Sequence, residues 1–381
     1  MAEVPYLDFY RRYDISPVAQ DISNLATHFQ RRDSLYRFLG IPPAFMQGRR
    51  VVEFGPGSGH NALYTASLRP SRFLLVDGNP RGVAETRAML ERHAPGQCRF
   101  EVLERTFEEF DTDERFDLVL AEGFIPHTED PSGLLRRLAR YAVPGGIVVT
   151  TTVSASSLLA ENLRRLIRVC LIRPSAPPDE QIAVLLPALG PHLSTLRGMS
   201  RPHEHWLLDV VIRPVRQARL LSVPEAVSAL ADEFDAYGMS PHLITDFRWY
   251  KDVVGEDRGL NDQAVGCYEQ HAAAMIDYRH VPGEHSRELG RRVEDICRRI
   301  WEAMHVIEER DELARPAEIV PLVRELAETL RGLQPETIRS LDEIAGYFEG
   351  RLELADLDSF ASFWGRGQQY LSLIRRPQWP R

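Results

Sequence analysis

The stretch Val51-Val52-Glu53-Phe54-Gly55-Pro56-Gly57-Ser58-Gly59 constrains the fold of this chain more than any other part of it. A short apolar run that ends in an acid and then meets three glycines at alternate positions reads as a strand turning sharply into a helix near His60 and Asn61. Glycine supplies the unusual backbone angles of such a turn and lets a ligand approach the main chain. The helix start adds unpaired N–H groups and the positive end of its dipole, which suit a carboxylate or a phosphate. The loop alone does not choose between them.

The surrounding pattern places this turn in an α/β domain. Apolar runs at Val51 to Phe54, Phe73 to Val76, Phe100 to Leu103, Leu118 to Ala121 and Ile147 to Val153 alternate with helical segments, the signature of a mainly parallel sheet. Leu134, Leu135, Leu138 and Tyr141 share a helix face, and Pro144-Gly145-Gly146 turns that helix into the next strand. The expected architecture is a Rossmann-like domain over 49–255 with an insertion or lid at about 154–223. An N-terminal helical cap over 1–48 precedes it, with a short helix capped at Asp33 and stopped at Gly40. Ser222-Val223-Pro224-Glu225 opens a helix expected to run to about Tyr237 and to stop at Gly238, and His242 to Phe247 reads as a strand rejoining the sheet. Leu289, Val293, Ile296, Ile300, Met304 and Ile307 recur at helical spacing, so 256–381 is expected to be a helical C-terminal domain.

Composition narrows the partners. A net charge of -9 argues against a broad basic face for nucleic acid. Four scattered cysteines without a Cys-x-x-Cys pair suggest a reducing compartment, and the first residues carry no apolar run, so a cytoplasmic protein without a membrane span is expected. No metal is expected, because His203-Glu204-His205 falls short of a ligand set.

Charge then decides the ligand. A dinucleotide site usually has Gly-x-Gly-x-x-Gly, whereas the spacing here is Gly-x-Gly-x-Gly behind Glu53, which would repel a pyrophosphate and attract an ammonium. A nicotinamide-dependent dehydrogenase is therefore disfavoured. The next strand ends at Asp77, whose carboxylate can accept from both hydroxyls of a ribose. An adenosine joined to an amino acid fits the loop, Glu53 and Asp77 together.

With these residues the segment 49–153 resembles the class I S-adenosylmethionine-dependent methyltransferases. The resemblance rests on Val51 to Gly59, on Asp77, on Phe116-Asp117-Leu118-Val119-Leu120-Ala121-Glu122-Gly123 and on Pro144-Gly145-Gly146, in that order. It implies S-adenosylmethionine as cofactor. The methionine part would be held by Glu53 and by Gly55, Pro56, Gly57, Ser58 and Gly59, the ribose by Asp77, and the adenine by Glu104, with Glu122 at the same site. The segment before the first strand commonly covers the donor in this family, which points to Arg31, Arg32 and Tyr36.

Ligands of open α/β sheets sit beyond the carboxyl ends of the strands, where the fourth strand delivers Glu122 to His127. His127 is the candidate base or acceptor-orienting group, since imidazole titrates near neutrality. His60, Trp249 and Tyr250 are candidate substrate contacts, the last two flanked by Arg248 and Lys251. Asp277-Tyr278-Arg279-His280 either borders a site or satisfies a helix end. The expected reaction is methyl transfer to an oxygen or nitrogen of a small-molecule acceptor, such as a sugar or another biosynthetic intermediate. A protein or peptide methyltransferase and a non-catalytic donor-binding scaffold are the alternatives, and the oligomeric state is left open, a homodimer included.

Overall fold

The structure is a computed structural model that describes residues 22–94, 96, 98–199, 201–214, 219–280, 283 and 285–377, except for the side chain of His127. In chain order the principal elements are α1 (Leu25–Phe38), β1 (Arg50–Phe54), α2 (His60–Ser67), β2 (Arg72–Asp77), α3 (Pro80–His93), β3 (Phe100–Glu104), β4 (Phe116–Ala121), α4 (Pro131–Ala139) and β5 (Ala142–Thr152). There follow α5 (Leu159–Leu171), α6 (Pro178–Leu193), α7 (Val223–Leu230), β6 (Phe234–Ser240), α8 (Leu260–His271), α9 (Arg287–Glu309), α10 (Val320–Thr329), α11 (Pro335–Phe348) and β7 (Gln369–Arg375).

The chain forms two compact units, one made of Met1–Thr152, Gln217–Cys267 and Gln368–Arg381, the other of Val153–Arg216 and Tyr268–Gly367. The expected boundaries at 48 and 255 are drawn differently. Most of the segment read as an insertion packs as one body with residues 268–367, and the last stretch of the chain leaves the helical region to become β7.

The first unit holds a seven-stranded sheet in the order β3-β2-β1-β4-β5-β7-β6. Strands β1 to β5 are parallel, and β7 runs antiparallel to both β5 and β6. Parallel strands covered on both faces need apolar side chains on both, which is why Val51, Val52, Phe54, Phe73 to Val76 and Leu118 to Ala121 are all buried. The parallel order reverses direction about β1, and β1 and β4 end side by side there, at Phe54 and Ala121. A crevice at such a switch point is where open α/β sheets bind ligands.

Several expected elements are corrected. Helix α1 begins nine residues earlier than expected, with Asn24 accepting from Thr27 N–H as its cap, while Asp33 instead pairs with Arg37 and accepts from the Tyr64 hydroxyl. Ser222 and Glu225 do form a capping box, but α7 ends at Leu230 and the residues read as its second half are strand β6. Gly238 is not a helix stop: a Cβ there would lie 2.6 Å from the Phe38 carbonyl oxygen, so its role is to let β6 pass close to the end of α1. His242 to Phe247 forms no strand, because β7 takes the edge beside β5 and pairs with β6. Strand β5 also starts earlier than Ile147 and carries Pro144-Gly145-Gly146 within it, with a register irregularity against β4 between Phe116 and Leu118.

The second unit is helical. Its long helix α9 buries Val293, Ile296, Ile300, Met304 and Ile307 on one face, as the spacing predicts. Helix α5 buries three arginines beside its apolar residues. Arg165 and Arg168 both pair with Glu308, at 2.8 and 2.6 Å. Burial alone would raise the Glu308 carboxyl, and the two guanidinium groups outweigh it and hold it below the usual range. Arg279 forks onto Asp277 and also reaches Ser340 and Ser362, so the polar tetrad at 277–280 fastens the loop after α8 onto α11 and the segment around Ser362. Among the described residues no helix is long and apolar enough to cross a membrane.

Candidate functional site

The glycine loop lies between the end of β1 and the start of α2, with Gly55, Gly57 and Gly59 all at positive φ. A side chain at Gly59 would come within 2.8 Å of the Thr86 backbone on α3, so this position is closed to any other residue on two counts. Pro56 closes the turn by accepting from Gly59 N–H, and the Thr86 hydroxyl donates to the Gly57 carbonyl. The loop is thus a rigid cradle before any ligand arrives.

Asp77 braces it from β2. One carboxylate oxygen accepts from Gly57 N–H at 3.1 Å and the other from Asn79 N–H at 2.8 Å. Burial pushes its carboxyl up to about 6, and the two N–H groups pull the other way. Glu104, at the end of β3, is exposed and stands in register beside Asp77. Past β3 and β4, Phe107 and Phe124 stack with ring centres 4.4 Å apart, and Phe124 lies against Gly55.

Glu53, the last residue but one of β1, is buried, and its Oε2 has no hydrogen-bond partner among the described residues. Burial raises its carboxyl to about 8, Glu122 adds to the rise and Arg32 opposes it. An unmatched carboxylate oxygen at the mouth of a glycine loop is what an ammonium-bearing ligand would satisfy. Glu122, at the end of β4, does not share that availability, because both its oxygens accept from Arg32 at 2.8 Å.

Arg32 arrives on α1. His28, Arg32 and Tyr36 are four residues apart and form the buried stripe of that helix, so its inner face is polar where an ordinary surface helix would be apolar. His28 Nε2 donates to the His60 carbonyl at 2.9 Å, and the Tyr36 hydroxyl pairs with the Thr65 hydroxyl at 2.7 Å. These contacts set Tyr36 against α2 and Arg32 against Glu122 after β4. His60 itself is engaged through Nδ1 with the Ser58 hydroxyl at 2.6 Å.

The remaining candidates are less drawn together. The His127 backbone ends a single 3-10 turn after β4, and its side chain lies outside the described residues. Trp249 and Tyr250 are exposed and contact each other and Lys251. His203-Glu204-His205 lies in a four-residue helix of the second unit, and no metal-ligating cluster of three occurs among the described residues. Sequence reasoning missed Phe107 and Phe124, although both are aromatic residues just past strand ends. It also missed Thr151, which accepts from Gly123 N–H at 2.8 Å, and Tyr370, whose phenol is pushed up by burial, with Glu122 adding to the rise and Arg32 opposing it.

Comparison with known proteins agrees with this geometry. A family model described as "Methyltransferase domain" matches residues 12–190. The chain is 29% identical over 109 residues to the ubiquinone biosynthesis O-methyltransferase of Bradyrhizobium sp. (strain ORS 278), a match covering 29% of this chain and 42% of that protein. The enzyme of the same name from Rhodopseudomonas palustris (strain BisB18) matches with 29% identity over 109 residues, covering 29% of this chain and 41% of the relative. The chain therefore spans less than half the length of these curated relatives. Among solved structures, the N-methyltransferase NodS from Bradyrhizobium japonicum WM9, in complex with S-adenosyl-L-homocysteine, aligns at 19% identity with a TM-score of 0.32, covering 39% of this chain and 76% of that one. Residues 12–190, just under half of the chain, thus match a methyltransferase domain.

Proposed function

We propose that this chain moves a methyl group from S-adenosylmethionine to an oxygen or nitrogen of a small-molecule acceptor. The observation that carries the reading is the buried, unmatched Oε2 of Glu53 beside a glycine cradle braced by Asp77. Glu53 and the loop from Gly55 to Gly59 would hold the methionine part. Asp77, by rotating one oxygen from Gly57 to the ligand, would hold the ribose. Glu104 and the stacked Phe107 and Phe124 would border the adenine.

The bound donor supplies an electrophilic methyl on a sulfonium, so the protein's remaining work is alignment, exclusion of water and removal of the acceptor's proton. His127, on the turn that follows β4, is the proposed group for that proton, with His60 as an acceptor contact. Trp249 and Tyr250 are exposed and available for an acceptor to pack on.

The test is an acceptor screen. Purified protein and labelled donor are mixed with fractionated cell extract and with panels of hydroxylated and aminated small molecules, and products are separated by size. A mass gain of one methyl on a small product is expected. Label confined to products of protein size would overturn the small-acceptor reading.

A further inference from the structure

Of the nine large apolar side chains that stand exposed among the described residues, six gather at one edge of the first unit: Phe38 at the end of α1, Tyr237 on β6, and Phe247, Trp249, Tyr250 and Val254 on the segment that follows β6. Scattered singly such residues need no explanation, but a cluster of them marks a surface that another body covers. The cluster is held in place. The Phe38 ring lies 6.0 Å from that of His242, and a Cβ on Gly40 would run into the Tyr237 ring. Arg248, between two of the exposed rings, is spent inside its own segment: its guanidinium pairs with Asp246 at 2.6 Å and donates to the carbonyls of Asp257 and Arg258. The turn at Trp249 is closed by the Asp252 N–H donating to the Trp249 carbonyl, and the Trp249 and Tyr250 rings meet at 4.9 Å. Phe247 is 93% exposed, Tyr250 69% and Trp249 59%, so a braced segment presents its rings to solvent.

Backbone, area and charge select what covers it. Strand β6 is the outermost strand of the sheet, and Asn261 closes part of its free edge, its side chain accepting from Ala236 N–H and donating to the Phe234 carbonyl. A further strand is blocked there, so recognition runs through the side chains. At roughly 225 Å² per aromatic side chain, the exposed fractions of the five rings amount to about 700 Å². Soluble monomers rarely expose so much apolar surface, and a stable protein interface takes about 800 Å² from each partner. The charges beside the rings are mixed. Lys251 stands 5.9 Å from both Trp249 and Tyr250. Asp252 and Glu256 are exposed and, like Lys251, form no ion pair among the described residues, whereas Arg258 is taken by Asp235. The acidic surplus repels anionic lipid headgroups and nucleic acid. A surface with both signs beside an apolar centre complements itself when turned about a twofold axis.

We propose that this aromatic face joins two copies of the chain, with Phe247, Trp249 and Tyr250 as the apolar centre of the interface and Lys251 pairing across the twofold axis with the partner's Asp252 or the partner's Glu256. Aromatic anchors at the centre of such a patch carry most of the binding energy, and charged pairs at its rim set the register. Association of this kind does not depend on the methyl-transfer reading, and an acceptor packed on Trp249 and Tyr250 would lie at the joint between the copies.

Sedimentation equilibrium of the full chain tests this. A dimer is expected for the wild-type protein at about 10 μM. Trp249→Ser should raise the dissociation constant by about 30-fold or more, as truncation of a central aromatic does, and Phe247→Ser/Tyr250→Ser should leave a monomer at the same concentration. Both changes replace exposed rings by a polar group, so an unchanged far-ultraviolet circular dichroism spectrum is expected from each variant. Lys251→Glu should weaken the dimer by about 10-fold. Lys251→Glu/Asp252→Lys/Glu256→Lys exchanges both signs in both copies and should restore it, a rescue that a mere gain in solubility would not produce. A wild-type chain still monomeric at about 100 μM would overturn the proposal. A dimer indifferent to these substitutions would do the same by placing the interface elsewhere. So would a monomer that sediments with phosphatidylcholine vesicles through the same rings, which would assign the face to lipid.

Discussion

Trp364→Ala is expected to cost about 4 kcal/mol of stability and to lower the unfolding temperature of the helical unit by roughly 10 °C. Trp364 is fully buried, and its ring does three jobs at once. It stacks under the guanidinium of Arg164, whose carbon lies 3.4 Å from the ring centre. It meets Trp206 edge-on at 5.5 Å, and its indole N–H donates to the Thr195 hydroxyl at 2.9 Å. Truncation leaves a large cavity and strips Arg164 of its best aromatic face. That arginine is itself buried, with its two terminal nitrogens spent on the carbonyls of Ala160, Phe360, Ala361 and Phe363, and burial pushes it down to about 9. Water admitted to the cavity would compete for those carbonyls. Trp364→Phe keeps an aromatic face and loses the Thr195 bond and part of the volume, so about half the loss is expected. Thermal unfolding followed by near-ultraviolet circular dichroism reads both variants, and a loss below about 1 kcal/mol for the alanine variant would contradict the packing described.

Asp77→Ala is expected to weaken donor binding by about 100-fold, a change of about 2.7 kcal/mol. Two effects add. The N–H groups of Gly57 and Asn79 lose their shared acceptor, which loosens the glycine cradle, and the ribose hydroxyls lose an ionised acceptor worth about 1.5–3 kcal/mol. Asp77→Asn keeps an acceptor oxygen and should fall between wild type and alanine. Titration calorimetry with S-adenosylhomocysteine measures the loss, and unfolding curves of the same samples separate it from a folding defect. Unchanged affinity in Asp77→Ala would remove this residue from the site.

The parallel core was legible because burial on both faces forces continuous apolar runs, and each of the five expected strands corresponds to an observed one to within a few residues. Strands β6 and β7 were not legible in the same way. Phe234 to Ser240 contains Asp235 and Gly238, both poor strand formers, and becomes a strand because β7 pairs with it from more than a hundred residues away. The helical start at Ser222 was read correctly, but nothing local marks Leu230 as its last residue. The same distance effect hides the site's charge pattern. Glu53 and Asp77 announce themselves by following apolar strands, whereas the engagement of Glu122 by Arg32 joins residues 90 positions apart. Sequence could place Arg32 over the donor region as a family habit. Only the fold gives it a partner and leaves its Nε unmatched.

The central claim is that the cradle made by Glu53, the Gly55 to Gly59 loop and Asp77 holds an amino acid bearing adenosine. A calorimetric titration of the wild-type chain with S-adenosylhomocysteine at neutral pH tests it most directly. Saturable binding with one ligand per chain is the predicted result, and a titration without binding at millimolar ligand would contradict it.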